Sequence, residues 1–122
     1  MENMPYFKAG RPLVWIGSSK EDLSALPYAV KRSFGYQLRR VQQGKAALDA
    51  KTLTQFGTGV VELREAFDTN AYRLMYVVKL KNAIYVLHAF MKKSASGIDL
   101  SKRDAEMIAA RLRRAKELDL EK

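Results

Sequence analysis

The stretch Ala83–Ser94, AIYVLHAFMKKS, constrains the fold more than any other part of the chain. Its Ile, Tyr, Val, Leu and Phe content suits a buried strand, and it is too short for an ordinary membrane span. Two related segments precede it, VVELREAF over 60–67 and AYRLMYVVKL over 71–80. The joints between them, Asp68-Thr69-Asn70 and Lys81-Asn82, are turn-like and far shorter than a parallel crossover needs. The three segments are therefore expected to form an antiparallel meander, with 83–94 as its third strand. Alternation predicts Ile84, Val86, His88, Phe90 and Lys92 on one face of that strand, and Tyr85, Leu87, Ala89, Met91 and Lys93 on the other. In the first strand, Val61 and Leu63 share one face while Glu62 and Arg64 share the other.

The remaining segments supply helices and a short extra strand. Residues 1–10 read as a flexible lead-in, interrupted by Pro5 and Gly10. Leu13–Ile16, between Pro12 and Gly17, suits a strand, with Trp15 packing at the core or its edge. Ser18 with Glu21 fits a capping box opening a short helix, and Pro27 suits the first turn of a second. In that second helix Val30, Phe34, Leu38 and Val41 make one apolar stripe, and Gly44 is a plausible stop. Residues 45–59 read as a polar loop with a short extended piece near 51–56. Ser101 with Asp104 caps a last helix whose stripe is Ile108, Leu112 and Ala115, with 119–122 expected to fray. The expectation is one α+β domain over 11–118: a mainly antiparallel sheet with a three-strand C-terminal meander, two N-terminal helices and one C-terminal helix packed on it.

Composition narrows the chemistry. The 122 residues include no cysteine and one histidine, which removes disulfides, thiolate metal sites, a cysteine nucleophile and three-histidine zinc sites. No metal or other cofactor is expected. The net charge is +9, and residues 1–50, 51–100 and 101–122 carry +4, +3 and +2, so the excess belongs to the folded body. Such a field favours a polyanion, most simply nucleic acid, or a strongly acidic protein. The start MENMPYFKAG has no secretory pattern and no segment approaches the length of a spanning helix, so a cytoplasmic protein without a membrane partner is expected.

The order VELREAF, AYRLMYVV, IYVLHAFMKKS, a polar loop and a helix with Glu106 to Arg111 resembles the RelE/ParE superfamily of toxin-antitoxin toxins. It looks most like the HigB-like branch often described as phage-derived proteins, over roughly Arg11 to Leu118. The resemblance implies a RelE-like fold and a small basic toxin that cleaves mRNA on the ribosome. It also implies silencing by a helix-turn-helix antitoxin encoded nearby. Where phage-derived relatives carry a Lys-Thr-Pro step before the last helix, this chain reads GIDLSKRD, and no tyrosine follows Lys93. The superfamily also contains gyrase poisons on the same fold, so a non-enzymatic, ParE-like inhibitor is a second reading. A non-catalytic RNA-binding module is a third.

Metal-free RNA cleavage needs the 2′-hydroxyl deprotonated, the phosphorane charge held and the leaving 5′-oxygen protonated. Clustered cations hold that charge, and a lysine among other cations becomes a better base. Arg64, Arg73, His88 and Lys92 are the candidate catalytic residues; Lys51, Lys93, Phe90, Arg39 and Arg40 are candidate RNA contacts. By the resemblance, Arg64 corresponds to the arginine of the family's LR motif, and Lys92 or Lys93 to the basic pair closing its last strand. Arg73 reads equally as a structural partner of Glu62 or Glu65. His88 reads as a hydrogen-bonded packing histidine or as a proton-transfer group, and Phe90 as core or a base platform.

Overall fold

A computed structural model describes residues 10–57, 59–92 and 100–122. In chain order the elements are β1 (Leu13–Trp15), α1 (Ser19–Ser24), α2 (Tyr28–Gln42), β2 (Ala50–Thr52), β3 (Val60–Phe67), β4 (Asn70–Val77), β5 (Ile84–Lys92) and α3 (Lys102–Leu120). Among the described residues the sheet order is β1-β5-β4-β3-β2, with every pairing antiparallel except β1 on β5. The architecture is α+β, with α1 and α2 on one face of an open sheet and α3 on the other. The expected meander is β3-β4-β5.

Each layer buries the stripe that the sequence marks out. Val30, Phe34, Leu38 and Val41 of α2 pack on Leu63, Tyr72, Leu74, Tyr76, Ile84 and Val86. Ile108, Leu112 and Ala115 of α3 pack on Val60, Met75, Val77, Tyr85 and Leu87. The β3–β4 hairpin turns through Asp68 and Thr69, both at positive φ (51° and 66°), the tight two-residue geometry whose twist matches paired strands.

Three expectations need correction. Ser18 makes no capping hydrogen bond to the α1 backbone; its hydroxyl instead donates to Asp22 Oδ2 at 2.8 Å and accepts from Arg111. Strict alternation along β5 also fails. The pairing steps from Tyr76↔Val86 to Met75↔His88, so Leu87 is an extra residue and β5 is bulged there. Ile84 and Val86 lie on the α2 side, whereas His88 and Phe90 turn to the α3 side with Tyr85 and Leu87. The third correction concerns the C-terminus. The helix runs to Leu120, and Asp119 accepts hydrogen bonds from the backbone N–H groups of Lys81 and Asn82 and from the Tyr85 hydroxyl, each at 2.8 Å. The turn before β5 is thereby clamped to the end of α3. The lead-in expected over residues 1–10 falls, apart from Gly10, outside the described residues.

The clamp has a pH signature. Burial, the hydrogen bond to Asp119 and that carboxylate's charge push the Tyr85 phenol up to about 12, and burial does the same to Tyr76. An acid whose pKa is raised by folding is held neutral in the native state while its unfolded counterpart ionises near 10. The stabilisation from both phenols is thus complete below pH 10 and is lost as pH rises through about 12. Denaturant midpoints should be flat up to pH 10 and fall between 10 and 12, and Tyr85→Phe should flatten part of that fall.

Candidate functional site

Directly paired residues of neighbouring strands point to the same side of a sheet, so the register maps the face next to α3. One row reads Lys51, Glu62, Met75, His88 across β2, β3, β4 and β5. The next reads Arg64, Arg73, Phe90, and the one beyond it Ala66, Ala71, Lys92. Arg64, Arg73, His88, Phe90, Lys92 and Lys51 therefore share one face. The bulge at Leu87 makes this possible: without the extra residue, His88, Phe90 and Lys92 would project toward α2, behind the sheet from Arg64.

Helix α3 covers the lower part of this face and begins level with His88. Ser101 caps it as the sequence predicts, accepting from the Asp104 N–H at 3.0 Å and donating to Asp104 Oδ2 at 2.8 Å. The other carboxylate oxygen of Asp104 meets His88 Nε2 at 2.9 Å. His88 is 6% exposed, its ring stacks on Phe90 at 4.6 Å between centroids, and its Nδ1 is buried without a partner. The geometry fits the packing reading of His88, as a peg between β5 and the start of α3.

The two arginines at the centre differ. Arg73 Nε lies 3.3 Å from Glu62 Oε2, with the two side chains only 13% and 10% exposed, so Arg73 neutralises a buried carboxylate. Arg64 has a side chain 46% exposed and its only ionic neighbour among the described residues is Asp49 at 3.9 Å, itself mostly exposed, a weak pairing that leaves the guanidinium free for a ligand. Ala66 and Ala71 share the row of Lys92, next to the Arg64–Arg73–Phe90 row, and their small side chains leave a shallow floor. Two strand spacings across β4 and a two-residue offset along the strands set the Cα atoms of Arg64 and Lys92 about 12 Å apart. Two long cationic side chains thus flank a floor wide enough for a phosphodiester, with the half-buried Phe90 beside it.

Not every sequence candidate joins this cluster. Lys51 is on the same face but three strands from Lys92, with Glu62 between them. Arg39 and Arg40 belong to α2, behind the sheet, and Arg40 Nε donates to the Ala46 carbonyl at 3.0 Å. Lys93 lies outside the described residues. Among those that are described, no three His, Asp or Glu side chains cluster as a metal-binding group would, and no helix is long and apolar enough to cross a membrane.

Sequence reasoning missed two arginines that build the scaffold. Arg111 donates to the Leu87 carbonyl at 2.9 Å and to Ser18 Oγ at 2.9 Å, satisfying a carbonyl that the bulge leaves unpaired. A Cβ on Gly17 would meet its guanidinium at 2.8 Å, which explains glycine there, at φ +57°. Arg11 donates to the carbonyls of Val78, Leu80 and Ala83, holding the β4–β5 connection. The signal for Arg111 was its helical angle beside the Ile108–Ala115 stripe; Arg11 left none.

No curated protein and no solved structure matches the chain. A family model does match, over residues 21–114, from α1 to the last turns of α3, which includes the whole meander and every residue of the cationic face described above. With well over half of its length matched, this chain belongs to the family of phage-derived Gp49-like proteins (DUF891).

Proposed function

We propose that this chain is the toxin of a type II toxin-antitoxin system, of the HigB-like branch of the RelE/ParE superfamily, and that it cleaves mRNA on the ribosome. The observation that carries the reading is the half-exposed Arg64 on the same face of the sheet as Lys92, beside the Ala66–Ala71 floor. Membership in a phage-derived family and the +9 charge support a polyanionic target. Its antitoxin is a helix-turn-helix protein encoded beside it.

In the proposed reaction the RNA 2′-oxygen attacks the adjacent phosphorus, the P–O5′ bond breaks, and a 2′,3′-cyclic phosphate and a 5′-hydroxyl result. Arg64 holds the charge that builds on the non-bridging oxygens, offering paired N–H donors in a fixed fork. Lys92 accepts the 2′-hydroxyl proton, solvent water protonates the leaving 5′-oxygen, and Lys92 then returns its proton to solvent, so no net proton is gained or lost. Arg73, tied to the buried Glu62, is a structural neighbour of Arg64 and not a phosphate ligand. Phe90 offers a ring edge to a flanking base.

Induced expression tests this directly. Growth and translation should stop within minutes, with new RNA ends inside translated messages and co-expression of the adjacent helix-turn-helix protein relieving both. Intact message ends together with trapped gyrase cleavage complexes would instead identify a ParE-like inhibitor.

A further inference from the structure

We infer that the outer face of α2 is a second RNA-contacting surface, separate from the sheet face, that stacks unpaired bases on Tyr28 and Tyr36 and holds phosphates with Arg32 and Arg39. Helix periodicity places Tyr28, Arg32, Tyr36 and Arg39 at steps of four, four and three on the side opposite the buried Val30–Val41 stripe. Both rings stand in water, Tyr28 70% exposed and Tyr36 56% exposed. Open aromatic rings spaced along a cationic helix offer flat faces on which bases can stack. The Arg32 guanidinium lies 5.8 Å from the Tyr28 ring centre, a cation–π contact that braces one face of the ring.

The chemistry of the stripe selects the ligand. Helix α2 carries Lys31, Arg32, Arg39 and Arg40 and no carboxylate, so it repels cations and attracts a polyanion. An acidic polypeptide would need only the charges. Alternation of open rings with arginines matches single-stranded RNA, where bases stack and the backbone is neutralised side by side. The two tyrosines stand about 12 Å apart along the axis. Gly35 between them is exposed, and a Cβ there would meet nothing within 4 Å, so the ligand can approach the helix backbone closely. Because α2 packs on the face of the sheet away from Arg64, one molecule would contact RNA on both sides. The inference rests on RNA being the target, and it adds a surface that the cleavage chemistry does not need.

The test uses the full chain and a fluorescein-labelled single-stranded RNA 12-mer, 2′-O-methylated throughout so that it cannot be cut. Tyr28→Ala with Tyr36→Ala should weaken binding about tenfold or more, while the Phe pair should bind like the parent protein. Arg32→Gln with Arg39→Gln should reduce the slope of log affinity against log salt by about 1.4. All four side chains are exposed, so circular dichroism should be unchanged. Binding of the alanine pair within twofold of the parent would overturn the inference. So would a surface that prefers polyglutamate to the RNA and loses it with the arginine pair. If induced protein cuts no message yet the tyrosines still govern RNA binding, the cleavage reading fails and this one stands. If messages are cut and the tyrosines do not matter, only this inference fails.

Discussion

Arg73→Ala is expected to cost about 3 kcal/mol of folding stability, at the low end for breaking a buried ion pair. The side chain of its partner Glu62 is 10% exposed, and removal of the guanidinium leaves that carboxylate desolvated, with the exposed Lys51 across the register no substitute for a buried partner. The loss is therefore mainly the penalty on the survivor. It follows that Arg73→Met combined with Glu62→Met should recover most of the stability, because two apolar side chains of similar volume need no pairing. Chemical denaturation of the two variants checks this. If Arg73→Ala is as stable as the parent, the ion pair is not buried in solution, and Arg73 returns to the set of free cations.

Arg64→Ala should behave in the opposite way. The side chain is exposed and its contact with Asp49 is loose, so folding stability should change by no more than about 0.5 kcal/mol. Its effect belongs to the reaction. Loss of a single preorganised donor to a developing oxyanion costs about 100-fold to 1,000-fold in rate, and cleavage should fall by that factor. Arg64→Lys should recover only part of it, since an ammonium keeps the charge but not the paired donors. A toxic, cleaving Arg64→Ala protein with unchanged stability would remove Arg64 from the site.

The contrast between the two arginines shows where sequence reasoning reached and where it stopped. Arg64 lies on the polar side of an alternating strand, whereas Arg73 lies within an apolar one. The register sets the two arginines directly opposite one another with Glu62 diagonal to Arg73, and the side-chain contact selects Glu62 over Glu65 as the partner of Arg73. The meander, the α2 and α3 stripes and the Ser101–Asp104 cap were legible because each rests on local periodicity or short spacing. The bulge at Leu87 was not. Strand β5 is buried on both faces from Ile84 to Ala89, so its sequence is apolar without alternation and carries no phase to read. The partners that satisfy the bulge come from far along the chain: Ser19 and Ile16 on the Val86 carbonyl, and Arg111 on that of Leu87.

Asp119 teaches the complementary lesson. Its helical angle falls between those of Ile108 and Leu112, inside the buried stripe, and that angle argued against a frayed end. Proximity to the C-terminus outweighed it in the expectation. The hydrogen bonds to Lys81, Asn82 and Tyr85 show that the angle was the better guide. For His88, the buried ring and the contact with Asp104 tie β5 to the start of α3, a link across the polar stretch between them that no local pattern carries.

The central claim is that the cationic face of the sheet cuts RNA by 2′-oxygen attack, and the chemistry of the cut ends tests it most directly. Purified protein added to a translating cell-free reaction should yield message fragments whose new 5′ ends are hydroxyls, able to accept a radiolabelled phosphate from a polynucleotide kinase without prior phosphatase treatment. The matching 3′ ends should carry cyclic phosphates, and Arg64→Ala should reduce both by about 100-fold or more. New ends bearing 5′-phosphates, or no new ends at all, would contradict the account.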